Sequence, residues 1–248
     1  MDFCLIAQNA EVAADVANGF NELAPPIQVA LFLGALSFLT ALLVSITAFT
    51  RIVIVLSFIR RALATQEIPP NPVLLGLSVF LTIFVMAPTL ESINDNGIQP
   101  FLASQKQVKA GEEPTFGYIE LWQVASSELK VFMLGNTRES DLQLFLDLSN
   151  QNEPTELTDQ VYEKMDLPLT VIVPSFIISE LKTAFIMGFC LYIPFLLIDL
   201  VISTILMSLG MMMMPPVVVS TPCKLLLFVL VDGWQLITRA LVSSFNVM

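Results

Sequence analysis

The sequence predicts an all-α protein of the membrane type, built of helical hairpins with long kinked helices and a small acidic helical domain outside the membrane. Three observations carry that prediction. Of the 248 residues, 55% are hydrophobic and only 13% are charged, against about 25% charged in soluble domains. The mean hydropathy is +0.77. The apolar residues are gathered into long uncharged runs, and most of the charge lies between them. From Glu91 to Asp166 there are 14 acids and 5 bases, a balance of −9 within a net charge of −11.

This pattern divides the chain into an acidic N-terminal segment at 1–25, a first apolar helix pair at 26–90, an acidic extramembrane domain at 91–167 and a second apolar helix pair at 168–248. The first 24 residues hold four acids and no base. They lack the basic start and long apolar stretch of a secretory leader, so either the first apolar helix directs insertion or a leader has already been removed. Pro26 to Phe49 is uncharged, and at about 1.5 Å per residue it can cross a hydrocarbon core of about 30 Å. The apolar pattern runs on past Arg51 to Arg60-Arg61, predicting one long helix whose end projects beyond the bilayer. Glu67-Ile68-Pro69-Pro70-Asn71-Pro72 is a breaker-rich turn. Val73 to Leu90 is a second uncharged span at the lower length limit for crossing.

In the acidic domain, Ile119–Leu134 has helical periodicity, with Leu121, Val124, Ala125, Leu129 and Phe132 on one face. Asn136-Thr137 can cap a second helix running through Ser140-Asp141-Leu142 to Asn150. Two amphipathic helices make a small core, so they are expected to pack on neighbours. Gly111–Pro114 and Asn150–Pro154 read as loops. Pro168 to Val231 is almost continuously apolar. A third membrane helix lies within Val171–Leu209, too long for one straight span, with Pro174 and Pro194 as kinks or breaks. A fourth runs from about Val217 to Val231; Asp232-Gly233 weakens it, and a mixed tail follows. The positive-inside rule puts the turn with Arg51, Arg60 and Arg61 in the cytoplasm and the acidic domain outside.

Several function classes drop out. There is no histidine, which removes His-based catalysis, His-ligated metals and His pH switches. The three cysteines form no C-x-x-C pair. No phosphate loop, zincin, nucleophile elbow or paired intramembrane aspartates are present, and no basic face suits nucleic acid. No enzyme activity, cofactor or metal is expected.

Charges inside the apolar runs are functional candidates, because each costs about 2.5–3.5 kcal/mol on insertion scales. They are Arg51, Glu180, Lys182, Asp199 and Lys224. Glu180 and Lys182 are two apart and cannot face each other on one helix. Each needs a partner elsewhere in the chain or on another subunit, and an oligomer interface is favoured. Asp199 reads as a structural acceptor, for instance for Ser203, or as a proton-relay acid. Gly210-Met211-Met212-Met213-Met214-Pro215-Pro216 places four methionines between helix breakers. Met is unbranched and deformable, so two readings stay open, a greasy buried turn or a soft apolar seal.

The chain closely resembles the FliP/SctR family, export-gate components of bacterial type III secretion, and its flagellar branch in particular. The resemblance is carried by Phe49-Thr50-Arg51-Ile52-Val53-Ile54-Val55-Leu56-Ser57, Pro69-Pro70-Asn71, Phe84-Val85-Met86-Ala87-Pro88, Thr137-Arg138-Glu139, Ser179-Glu180-Leu181-Lys182-Thr183-Ala184-Phe185, Ile193-Pro194-Phe195-Leu196-Leu197-Ile198-Asp199-Leu200, the Gly210–Pro216 loop and Lys224 through Trp234. It covers nearly everything from Pro26 to Phe245. The resemblance implies a pore subunit in which five copies form a helical ring with FliR-type and FliQ-type subunits, beside further export-apparatus membrane proteins. Unfolded flagellar proteins would pass through the ring, within the basal body at the bacterial inner membrane. The family's methionine gasket falls on Met211, Met212 and Met213. The competing readings are a self-contained small-solute or proton transporter, and a scaffold without a pore.

Overall fold

A computed structural model of the chain describes residues 24–63, 69–109, 116–150, 167–211 and 214–245. The acidic segment at 1–25, most of the two predicted loops and both Met212 and Met213 therefore lie outside the described residues, apart from the segment's last two positions. Every regular element among the described residues is helical, as the hydropathy pattern predicts.

By its contacts the chain forms two compact units, Met1–Val44 and Ser45–Met248. The first contains nearly all of α1 (Pro25–Ser45), which starts on a proline pair and has no buried side chain. Its 21 residues are long and apolar enough to cross a membrane. The helix does not continue through Arg51, contrary to the sequence expectation. It stops at Ser45, and α2 (Phe49–Ala62) begins afresh. The local reason is a hydroxyl competing with the backbone ladder: the Phe49 N–H donates to Thr47 Oγ1 at 3.4 Å. Ile46 and Ala48 are buried at the junction.

The second unit is organised around α2 and α7 (Leu169–Ser208). α2 buries Arg51, Ile52, Val55, Leu56, Ile59 and Ala62, a stripe at spacings of three and four that defines one helix face. α7 answers with Val171, Ile172, Ser175, Phe176, Ser179, Glu180, Ala184 and Gly188. Small residues on that stripe let the two backbones approach. At Gly188 an added Cβ would stand 2.6 Å from Phe58 Cδ2, and the Phe58 ring packs edge-on against Phe185. Pro174 and Pro194 are carried inside one helix of 40 residues, about 60 Å long and twice a hydrocarbon core.

α3 (Asn71–Ile93) starts after Pro70, whose extended backbone suits the position before a helix, and lays Leu74, Ser78, Leu81, Val85 and Met86 inward. It packs on α2. A π-helical segment, Asn94–Ile98, joins it to α4 (Gln99–Lys109), a helix the sequence reading did not foresee. α5 (Tyr118–Asn136) closes its first turn with the Glu120 carboxylate accepting from the Gly117 N–H at 2.8 Å. α6 (Glu139–Asn150) follows directly, and both α5 and α6 pack against α7, as two small amphipathic helices must. α8 (Pro216–Leu230) returns along the second half of α7 as a hairpin arm. Asp232, in the left-handed region with φ 50, then bends the chain by 65° into α9 (Gly233–Ser243). The predicted tail is thus a short helix, burying Gly233, Ile237 and Leu241.

Candidate functional site

Three features stand out once the helices are in place. The first is a buried cation at the centre of the second unit. Arg51 enters the interior because it occupies the same face of α2 as Ile52, Val55 and Ile59. Its Nε donates to Glu180 Oε2 at 2.7 Å and its Nη2 to Glu180 Oε1, a two-pronged pairing in which both residues are almost fully buried. Arg51 Nη1 donates to the Ser244 carbonyl at 2.7 Å and to Ser244 Oγ at 3.0 Å. Ser244 caps the C-terminus of α9, where unsatisfied carbonyls attract a cation. The guanidinium carbon lies 3.9 Å from the centroid of the Phe245 ring, which stacks on Phe132. One side chain thus ties together α2, α7 and the end of α9. Beside it, the Arg138 N–H donates to Ser179 Oγ at 2.9 Å, fastening the α5–α6 junction to α7.

The second feature is Lys224 of α8, buried, donating to Asp199 Oδ2 of α7 at 2.5 Å. Asp199 Oδ1 is buried with no hydrogen-bond partner among the described residues. The pair lies on the two arms of the hairpin, and Phe195 meets Phe228 one turn further from its tip.

The third feature is the hairpin tip itself. α7 ends in a glycine-centred cap: the Gly210 N–H bonds the Met207 carbonyl and the Met211 N–H the Leu206 carbonyl, both at 3.1 Å. That pattern demands a left-handed residue after the helix, and Gly210 supplies it with φ 74. The Met214 N–H returns to the Met211 carbonyl at 3.4 Å, and Pro215 precedes α8 in an extended conformation. Met211 is 50% exposed and Met214 46%. With about 1.5 Å of rise per residue, the Asp199–Lys224 pair sits about 12–14 Å below the tip, where it fixes the register of one arm against the other.

The candidate residues are therefore distributed as follows. Glu180 finds its partner within the chain, in Arg51, so neither charge requires a second subunit to be satisfied. Asp199 pairs with Lys224, and not with Ser203 as the spacing suggested. Arg51 also leaves the basic turn in which it was placed, and only Arg60 and Arg61 remain at the end of α2. Lys182 alone of the five is exposed, with no ion pair among the described residues. Met211 stands at the loop's start; Met212 and Met213 are outside the described residues. The sequence reading missed Ser244 and Phe245, which complete the Arg51 site. Their one signal is a hydroxyl and an aromatic side chain closing an amphipathic helix.

Comparison with known proteins gives a consistent result. The sequence profile of the FliP family matches residues 32–241. Over 219 residues the chain is 47% identical to the flagellar biosynthetic protein FliP of Bacillus subtilis, covering 88% of this chain and 91% of that one. It is 41% identical to the protein of the same name from Aquifex aeolicus, covering 92% and 89%. With that of Pectobacterium carotovorum the identity is 44%, covering 94% and 84%.

Proposed function

Because the chain belongs to the FliP family, we propose that this flagellar export component is the pore-forming core subunit of the type III export gate, and that its methionine loop seals the pore. Five copies would form a ring with FliR-type and FliQ-type subunits at the bacterial inner membrane, and unfolded flagellar proteins would thread its axis. The observation that carries the reading is the hairpin tip. A glycine cap on one side and a proline pair on the other hold Met211 and Met214 exposed at the ends of two apolar arms. Exposed deformable side chains on a fixed mount suit a gasket that closes on itself or on a passing chain. The Asp199–Lys224 bond supports the same role by keeping the arms in register beneath the loop. The transporter alternative gains no comparable support, since Glu180 and Asp199 each hold a basic partner inside the chain.

The test is replacement of Met211, Met212 and Met213 by alanine in the assembled complex. Ion leak across the membrane with assembly intact is the expected result. Unchanged permeability in a fully assembled variant would reduce the loop to packing.

A further inference from the structure

We propose that the outer half of the α7–α8 hairpin is a pivoting arm, hinged on a line through Pro194 and the Asp232–Gly233 elbow, whose swing opens and closes the seal at its tip. This rests on the sealed-pore reading and adds how the seal yields to a passing chain.

Two interruptions of the helical ladder lie at the same height. The Asp199–Lys224 bond and the Phe195–Phe228 ring contact at 6.4 Å set the pairing of the two arms. In that register Asp232 stands across from position 191, three residues from Pro194, or about 4.5 Å along the axis. Pro194 has no N–H to give the Cys190 carbonyl, so α7 lacks one ladder bond there. On the other arm α8 ends at Leu230 and α9 starts at Gly233, bent by 65°, with Asp232 at φ 50. A non-glycine residue in the left-handed region is strained, and residues at the ends of elements absorb the dihedral changes of hinge motions. The Phe228 ring joins the two points. It meets Phe195, next to Pro194, and stands 5.2 Å from the Trp234 ring, and a Cβ added at Gly233 would lie 2.3 Å from its Cε2.

The two sides of that line are held differently. On the inner side Pro174 also interrupts the ladder, but Val171, Ile172, Ser175 and Phe176 around it are buried, and Glu180 is bonded to Arg51. Arg51 also holds the far end of α9 through Ser244. Beyond Gly188, α7 buries only Phe195 among the described residues, and α8 buries only Ser220, Lys224 and Phe228. Those three, four residues apart, form one stripe, and α8 packs on α7 and, at the elbow, on α9. Pro222 of α8 falls inside this stripe, between Ser220 and Lys224, where the pairing with α7 braces it. The arm is thus fastened to itself and joined to the base at the hinge line. Positions 195–209 make about 22 Å of helix, so a pivot of about 10° carries the tip about 4 Å. That is close to the ~4.8 Å that separates one extended strand from the next.

The experiment uses the complex assembled with its partner subunits. Pro194→Ala restores the missing donor and stiffens the pivot. Export of an unfolded flagellar protein should fall several-fold while assembly and ion tightness hold. Pro194→Gly leaves the position pliant and should export at close to the parent rate. In the parent complex, hydrogen exchange should be faster at amides 195–198, whose ladder partners are positions 191–194, than at 199–207; this readout needs no variant to fold. Normal export by an assembled Pro194→Ala complex, an equal loss with Pro194→Gly, or uniform exchange across 195–207 overturns the hinge. If alanine at Met211, Met212 and Met213 still makes the complex leak, the sealed-pore reading survives that failure; if it does not, both fall.

Discussion

Arg51 ties α2 to α7 and to the C-terminal cap of α9, and its loss should be among the most damaging single changes in the chain. The residue is 2% exposed and Glu180 is fully buried. Arg51→Met deletes a two-pronged ion pair, two hydrogen bonds to Ser244 and the contact with the Phe245 ring, and it leaves a carboxylate in the core. Stranding one partner of a buried pair costs about 3–5 kcal/mol. For a chain of this size each kcal/mol moves the midpoint by about 2–4 °C, so Tm should fall by about 6–20 °C. Glu180→Leu should do the same by stranding the guanidinium. The double variant Arg51→Met/Glu180→Leu removes both charges and should recover most of the loss, because well-packed apolar replacements of a buried pair are often near neutral. Melting is read from the intrinsic fluorescence of Trp122 and Trp234 in detergent. Single variants melting within about 2 °C of the parent, or a double variant as unstable as the sum of the two, would refute the assignment of Arg51 and Glu180 as one coupled unit.

Asymmetry is expected in the second pair. Asp199→Ala leaves the Lys224 ammonium in a nearly closed site, its side chain only 3% exposed, and should destabilise by about 3–5 kcal/mol. Lys224→Met leaves an aspartate whose side chain is 38% exposed and should cost less; equal Tm losses would contradict this ranking. Gly188→Leu drives a side chain into the Phe58 ring and should cost about 1–3 kcal/mol, with Phe58→Ala restoring part of the Tm. Gly210→Ala meets no atom within 4 Å of its new methyl, yet its φ of 74 should cost about 1–2 kcal/mol. A Tm unchanged by Gly210→Ala would mean that the cap does not hold the loop.

Much of the fold was legible because its causes are local. Uncharged runs of about 20 residues, prolines at helix starts and a glycine after the last helical turn act through the chain's nearest neighbours. They gave the placement of α1, α3, α7 and α8 and both edges of the methionine loop. The break at Ser45 was hidden because the run from Pro26 to Ile59 is uncharged throughout save Arg51, and hydropathy does not register a threonine hydroxyl taking the Phe49 N–H. α4 was missed because a π-helical segment, and no capped start, leads into it.

The candidate site divides along the same line. Sequence alone determined that this chain is helical and apolar, that most of its acids gather between Glu91 and Asp166, and that four methionines stand between a glycine and two prolines. Only the tertiary structure decided where the charges go. Arg51 and Glu180 are 129 residues apart, and Asp199 and Lys224 are 25 apart. At those separations spacing carries no geometric information, and a charge within an apolar run looks unpaired until another helix brings its partner. The physical reason is desolvation: a buried charge is tolerated only where a counter-charge meets it, and that meeting depends on how α2, α7, α8 and α9 pack.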